Sequence, residues 1–146
     1  MTNMMYASVG TVMIALHSEE APTDAEWNGY LDAMAHVPDL SALRSIAFTD
    51  GGAPNSRQRK ALNDLLAPRL KGSPGLAVAV SSSALVRSVV TALSWFNPNV
   101  KAFAPDRVND AYKYLRLTSS EIAGIRVELR RLRQAFSVPL RCISVD

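Results

Sequence analysis

The chain has a single cysteine, Cys142, among 146 residues. An intramolecular disulfide is therefore excluded, and a cysteine-based zinc site has no support. This usage agrees with a reducing, cytoplasmic setting. Histidine is almost as scarce. His17 and His36 stand alone, without Asp, Glu or Cys partners at ligand spacing, so no metal centre is expected. No apolar run approaches the roughly 20 residues that span a bilayer. Met1 to Tyr6 lacks the basic flank and long apolar stretch of a signal peptide. There is no Gly-x-x-x-x-Gly-Lys-Ser/Thr loop, no Gly-x-Gly-x-x-Gly turn and no Gly-x-Ser-x-Gly elbow. A nucleotide cofactor or a serine-hydrolase centre thus has no motif, and no cofactor is expected. Internal repeats and low-complexity segments are also missing.

What is present reads as one folded domain. Hydrophobic residues make up 48% and charged residues 20% of the chain, a globular rather than a disordered balance. A domain of this length buries roughly 68–70% of its unfolded surface. The formal net charge is +3 and the pI about 9.3. The basic residues are dispersed until the C-terminal helix, so nucleic acid is not an expected partner.

The hydrophobic pattern alternates strands with helices. Tyr6 to His17 is either one strand bent at Gly10 or a tight hairpin ending in Thr11–His17. Thr23-Asp24-Ala25-Glu26 has the spacing of a capping box, and the helix it opens places Trp27, Tyr30, Leu31 and Met34 on one face. Arg44 to Thr49 is a strand. The loop Thr49 to Ser56 is rich in turn formers and ends in Asn55 or Ser56 as helix cap. That helix runs to about Ala67 with Leu62, Leu65, Leu66 and Leu70 inward. Leu76 to Val80 is a short continuous apolar strand, followed by Ser81-Ser82-Ser83 and an apolar helix from Ala84 to Phe96. Apolar residues on most sides of this helix predict that it is largely covered. Val100 to Ala104 is a further strand, and Pro105-Asp106 opens a helix with Val108, Ala111, Tyr112 and Leu115 inward. Thr118 to Glu121 is a second capping box. It opens a helix to about Phe136, whose narrow stripe of Ile122, Ile125, Leu129, Leu132 and Phe136 suits docking on the domain or on a partner helix. Residues 137–146 read as a late strand or a loose tail. The fold class is α/β: a single domain with a mostly parallel sheet of four or five strands flanked by helices, and an extra C-terminal helix.

Five ordered segments carry a resemblance. They are Glu26-Trp27-Asn28-Gly29-Tyr30-Leu31; Phe48-Thr49-Asp50-Gly51-Gly52-Ala53-Pro54 before Gln58-Arg59; Ser83-Ala84-Leu85-Val86-Arg87; Thr91-Ala92-Leu93-Ser94-Trp95-Phe96; and Val100-Lys101-Ala102-Phe103. Taken in order, from about Thr11 to Phe136, they resemble the STAS domain, the fold of sporulation anti-sigma-factor antagonists. They are most similar to a bacterial group of small STAS-like proteins of unknown function. The resemblance implies a compact α/β domain that binds partner proteins. In the antagonists, a Ser or Thr directly after an Asp is phosphorylated, and the added charge changes partner affinity. Here Asp50 is followed by Gly51, and the next hydroxyl is Ser56, so that motif is absent as such.

Each candidate group also has a plainer role. Ser81, Ser82 and Ser83 follow a parallel strand and precede a helix, where anions bind, but a serine there is by default a helix cap. Asp50, Gly51 and Gly52 lie at the same end of the neighbouring strand. With the serines and Pro105-Asp106 they are expected to rim a shallow pocket, Asp50 serving as base or cation ligand or merely as a turn residue. Arg87, the one charge on the apolar helix, is expected in an ion pair, with Asp50 as a candidate partner, or on an anionic ligand. Trp95 is a partner-surface candidate or a core aromatic. Arg126, Arg130, Arg131 and Arg133 lack an interleaved aromatic and are diluted by Glu121 and Glu128, so they read as a solvated face. The expected function is a non-enzymatic, cytoplasmic protein-interaction domain, monomeric or homodimeric. The alternative is a small-ligand protein using the strand-end pocket for a nucleotide, another anion or a lipid-like molecule. A small hydrolase using Asp50 or Ser83 is the third reading.

Overall fold

A computed structural model describes residues 1–70, 75–94 and 99–143, with no account of the side chains of Leu70 and of residues 92–94. Five strands form one sheet in the order β1-β2-β3-β4-β5. They are β1 (Met4–Val9), β2 (Val12–His17), β3 (Arg44–Thr49), β4 (Leu76–Ser81) and β5 (Val100–Phe103). Strand β1 pairs antiparallel with β2, from Met4 opposite His17 to Val9 opposite Val12, and the other pairs are parallel. The Gly10 region is therefore the hairpin. Gly10 takes φ +59°, a left-handed conformation that glycine adopts without strain.

Strand β2 is buried at every position, which explains its unbroken apolar sequence. Its alternate residues serve opposite faces. Val12, Ile14 and Leu16 join Ile46, Phe48, Val78 and Val80 in a core with α4 (Val108–Tyr114) and α5 (Ser119–Leu132). Met13 and Ala15 face the other way. They pack with Met4, Trp27, Tyr30 and Met34, and with the leucines of the second helix. That layer comprises α1 (Asp24–Ala35) and α2 (Ser56–Leu70). The sheet is thus covered on both faces, and each fully buried Leu, Ile or Phe contributes about 1.5–3 kcal/mol. Among the described residues no helix is long and apolar enough to cross a membrane.

Both predicted capping boxes form. Thr23 Oγ1 accepts the Glu26 N–H, and Glu26 returns the bond to the Thr23 N–H. Thr118 and Glu121 do the same at the start of α5. The stripe on α5 docks on its own domain: Ile125, Leu129 and Leu132 are buried in the core. It is therefore not a free surface for a second copy. Residues 137–143 form no strand. They turn back over the end of the sheet, and Cys142 is buried there.

The helix after β4 departs from expectation. Helix α3 (Ala84–Ser94) packs against β4 and β5, yet Leu85 is 75% and Val89 53% exposed. Its apolar residues on the outer side are left uncovered, because no other element of the described chain reaches that side.

Candidate functional site

Parallel strands end together, so the residues after β2, β3 and β4 meet at one edge of the sheet. His17 is opposite Thr49 and Thr49 is opposite Ser81. Here the structure joins Asp50 and Ser82: the Ser82 hydroxyl donates to Asp50 Oδ1 at 2.9 Å. The remaining contacts of Asp50 come from far along the chain. Its Oδ1 also accepts the Cys142 N–H at 2.7 Å, and its Oδ2 the Arg141 N–H at 2.9 Å. Asp50 is 8% exposed. A buried carboxylate is tolerable only when hydrogen-bonded, and these three donors meet that need. The side chain is a clamp that holds residues 141 and 142 over the strand ends. The expected shallow pocket differs in its rim. Asp50 lines a cavity of about 270 Å³ with Ser18, Glu19, Glu20 and residues 136–141, not with the serine triplet and Pro105-Asp106. Both its oxygens are engaged by hydrogen bonds.

The two glycines after Asp50 shape the turn. Gly51 has φ +142°, and a Cβ at Gly52 would collide with the carbonyl oxygens of Glu20 and Ser18. The Gly52 N–H donates to Ser18 O at 2.9 Å, and Thr49 Oγ1 bridges the turn by donating to Gly52 O at 2.6 Å. The glycines are needed for this close approach to the loop after β2.

The serine triplet takes the plainer of its two roles. Ser81 Oγ donates to Thr49 O at 2.8 Å and accepts the Ser83 N–H at 3.1 Å. Ser83 Oγ accepts the Val86 N–H at 3.3 Å and caps α3. Arg87 does not pair with Asp50. Its Nη1 donates to Ser81 O at 2.6 Å, which ties α3 to the end of β4. Ser56 is exposed at the first position of α2, and the cap is Asn55, whose Oδ1 accepts the Gln58 N–H. Trp95 lies outside the described residues.

Sequence reasoning missed the role of Gln58, and the structure adds the environments of His17 and Cys142. Gln58 is buried and donates through Nε2 to Pro22 O at 3.0 Å and Asp24 Oδ1 at 3.1 Å, while its own carbonyl accepts the Trp27 indole N–H at 2.8 Å. It locks the starts of α1 and α2 together. Asn55-x-x-Gln58 has capping-box spacing, a signal that was there to be read. His17 is buried, and its Nδ1 has no hydrogen-bond partner among the described residues. Burial holds its pKa down at about 4, against the opposing attraction of Glu26. Cys142 is buried rather than in a loose tail. Burial first, and then the Asp50 carboxylate beside it, push its thiol well above the ordinary cysteine range, which removes it as a nucleophile near neutrality.

Among the described residues, no group of three His, Cys, Asp or Glu side chains is arranged to hold a metal ion. The chain matches no family model, no curated protein and no solved structure.

Proposed function

We propose that the protein is a non-enzymatic, cytoplasmic, STAS-like regulatory domain that binds a partner protein through the outer face of α3. The observation that carries this reading is the exposed pair Leu85 and Val89, one turn apart on a helix whose inner side packs on β4 and β5. The only charge on α3 is Arg87, which is turned to Ser81 O. The outer face thus has no charged group to keep it in water, and covering these two side chains would contribute about 1.5–3 kcal/mol each. The engagement of Asp50 and the serines in holding the strand ends supports interaction over catalysis. Ser56 supports a regulatory role in a limited way. It is exposed at the start of α2, where a phosphate would meet the positive end of the helix.

The test places a photo-crosslinking residue at position 85, identifies the adduct from native lysate, and rebuilds the pair from purified proteins. Leu85→Asp with Val89→Asp abolishes the purified complex while leaving the unfolding midpoint unchanged. Full-strength binding by the double variant, or crosslinks no more specific than from an exposed control at Arg57, rejects the α3 face. If the adduct is a second copy of the chain, the partner is the protein itself, and the same variant must then be monomeric.

A further inference from the structure

The arginines of α5 divide into two kinds once the helix is docked. The buried stripe is Ile125, Leu129 and Leu132. Arg126, Arg130 and Arg133 each follow one of these residues, so they form a row along one shoulder of the stripe, at steps of four and three. Glu128 and Arg131 precede Leu129 and Leu132 on the opposite shoulder, where they neutralise each other at 2.6 Å. Among the described residues, none of the three guanidinium groups in the row has a hydrogen-bond or ion-pair partner.

That row faces a cleft of about 230 Å³ between α5 and α4. Asn109 and Tyr112 of α4 form the facing wall, and Phe48 lies at its base. Among the described residues, no Asp or Glu lines the cleft. The acid nearest in sequence on α4, Asp110, is bound to Arg107 at 2.6 Å. Three cations therefore border one concave space that no anion of the described residues lines. Mutual repulsion of three unneutralised arginines disfavours this arrangement unless an anion joins them. Guanidinium groups suit phosphate because their planar forks donate two parallel hydrogen bonds. The Arg126-to-Arg133 row covers seven residues of helix rise, roughly 10 Å. Long side chains converging from that span can hold more than one anionic group. The volume is below the roughly 300 Å³ at which ordinary ligand pockets begin, which is too small for a whole nucleotide.

We propose that the α4–α5 cleft binds a small organic phosphate through Arg126, Arg130 and Arg133, with Asn109 on the opposite wall as a neutral hydrogen-bonding partner. The site is separate from the α3 face and does not depend on a partner protein there. All four arginines are exposed, as a solvated face requires, and the proposal adds a ligand to the three that line the cleft.

The experiment is calorimetric titration of the full chain with pyrophosphate, glycerol 3-phosphate and inorganic phosphate, at two salt concentrations. Saturable binding of one equivalent is expected for at least one phosphate probe. Arg130→Gln, and Arg126→Gln with Arg133→Gln, should weaken it by about tenfold or more, as loss of a charge-assisted hydrogen bond does. Arg131→Gln, already neutralised by Glu128, should bind as wild type. All four arginines are exposed, so thermal midpoints should stay level and loss of fold is not a rival explanation. Three outcomes overturn the proposal: no saturable binding by any probe, equal weakening by Arg131→Gln, or binding of a duplex oligonucleotide when the small phosphates do not bind.

Discussion

The backbone N–H of Cys142 donates to the carboxylate of Asp50 at 2.7 Å, across a sequence separation of 92 residues. This bond, with that of Arg141, attaches the end of the described chain to the turn after β3. It converts the most chemically suggestive acid of the sequence into a structural one. It also places the only cysteine under the same clamp, so the thiol reports whether the clamp is closed.

Asp50→Ala should open that clamp. The variant leaves two N–H groups and one hydroxyl without their acceptor, and a stability loss of about 2–4 kcal/mol is expected. Labelling of Cys142 by a disulfide reagent should accelerate strongly, because the thiol is buried only while residues 141–143 stay down. Asp50→Asn keeps one acceptor oxygen and should fall between. An unchanged labelling rate in Asp50→Ala would show that the segment is held by Cys142 packing alone.

Gly52→Ala tests the turn beside it. An added methyl meets backbone oxygens of Glu20 and Ser18, which cannot swing aside like a side chain. A cost of about 1–3 kcal/mol in urea unfolding is expected, with α1 and α2 retained in circular dichroism. Gly10→Ala is a suitable comparison. Nothing lies within 4 Å of its added Cβ, so its smaller cost comes from φ alone. A Gly52 variant no worse than the Gly10 variant contradicts the close approach.

How far the sequence was legible follows the range of each interaction. The Thr23–Glu26 and Thr118–Glu121 boxes span three residues, and both the pattern and the geometry are local. The strands were legible because β2 and β4 are continuous apolar runs and because Gly10 marks the turn. The Asp50 clamp was not, because its donors are backbone N–H groups, which every residue has. Cys142 has no pattern that marks it for Asp50. The exposure of Leu85 and Val89 was misread for a related reason. An all-round apolar helix predicts a cover, and the sequence carries no statement of whether the cover belongs to the same chain. The four arginines were legible as a solvated face, but their separation into paired and unpaired shoulders required knowing which side α4 occupies.

A second long-range link, between Arg44 and Glu121, fastens the start of β3 to the start of α5. The Arg44 guanidinium forks onto the Glu121 carboxylate, and its Nη1 also reaches the carbonyls of Leu115 and Arg116. Both side chains are about one-fifth exposed, at 20% and 21%, so solvent screens the pair only in part. Glu121→Gln preserves the capping spacing, since glutamine serves at that position, but removes the charge. A loss of about 1–2 kcal/mol is expected, and Arg44→Met should cost slightly more through the two freed carbonyls. In a double-mutant cycle the two effects should fall short of additivity by about 1 kcal/mol. Strict additivity would mean that each residue acts independently.

His17 makes the fold sensitive to mild acid, and the sign follows from its burial. The folded state holds the imidazole neutral down to about pH 4, while the unfolded chain protonates it near 6.5. Between those values the unfolded state binds more protons, so stability is complete above pH 6.5 and falls as the pH drops toward 4. At pH 5 the loss is on the order of 2 kcal/mol. Glu26 and Glu121 act in a lower window. Burial works to raise their pKa values, but the hydrogen bonds they accept, with Arg44 added at Glu121, outweigh it and hold both below the ordinary glutamate range. Their contribution is present above that range and disappears only as pH falls further. His17→Leu removes a buried nitrogen that has no partner among the described residues, so stability at pH 7 should change by no more than about 1 kcal/mol. The same variant should flatten the stability profile between pH 6.5 and 4 while leaving the steeper loss below it. Urea midpoints measured every half unit of pH decide the matter: an equal slope in both proteins across that window would assign the acid sensitivity to the carboxylates instead.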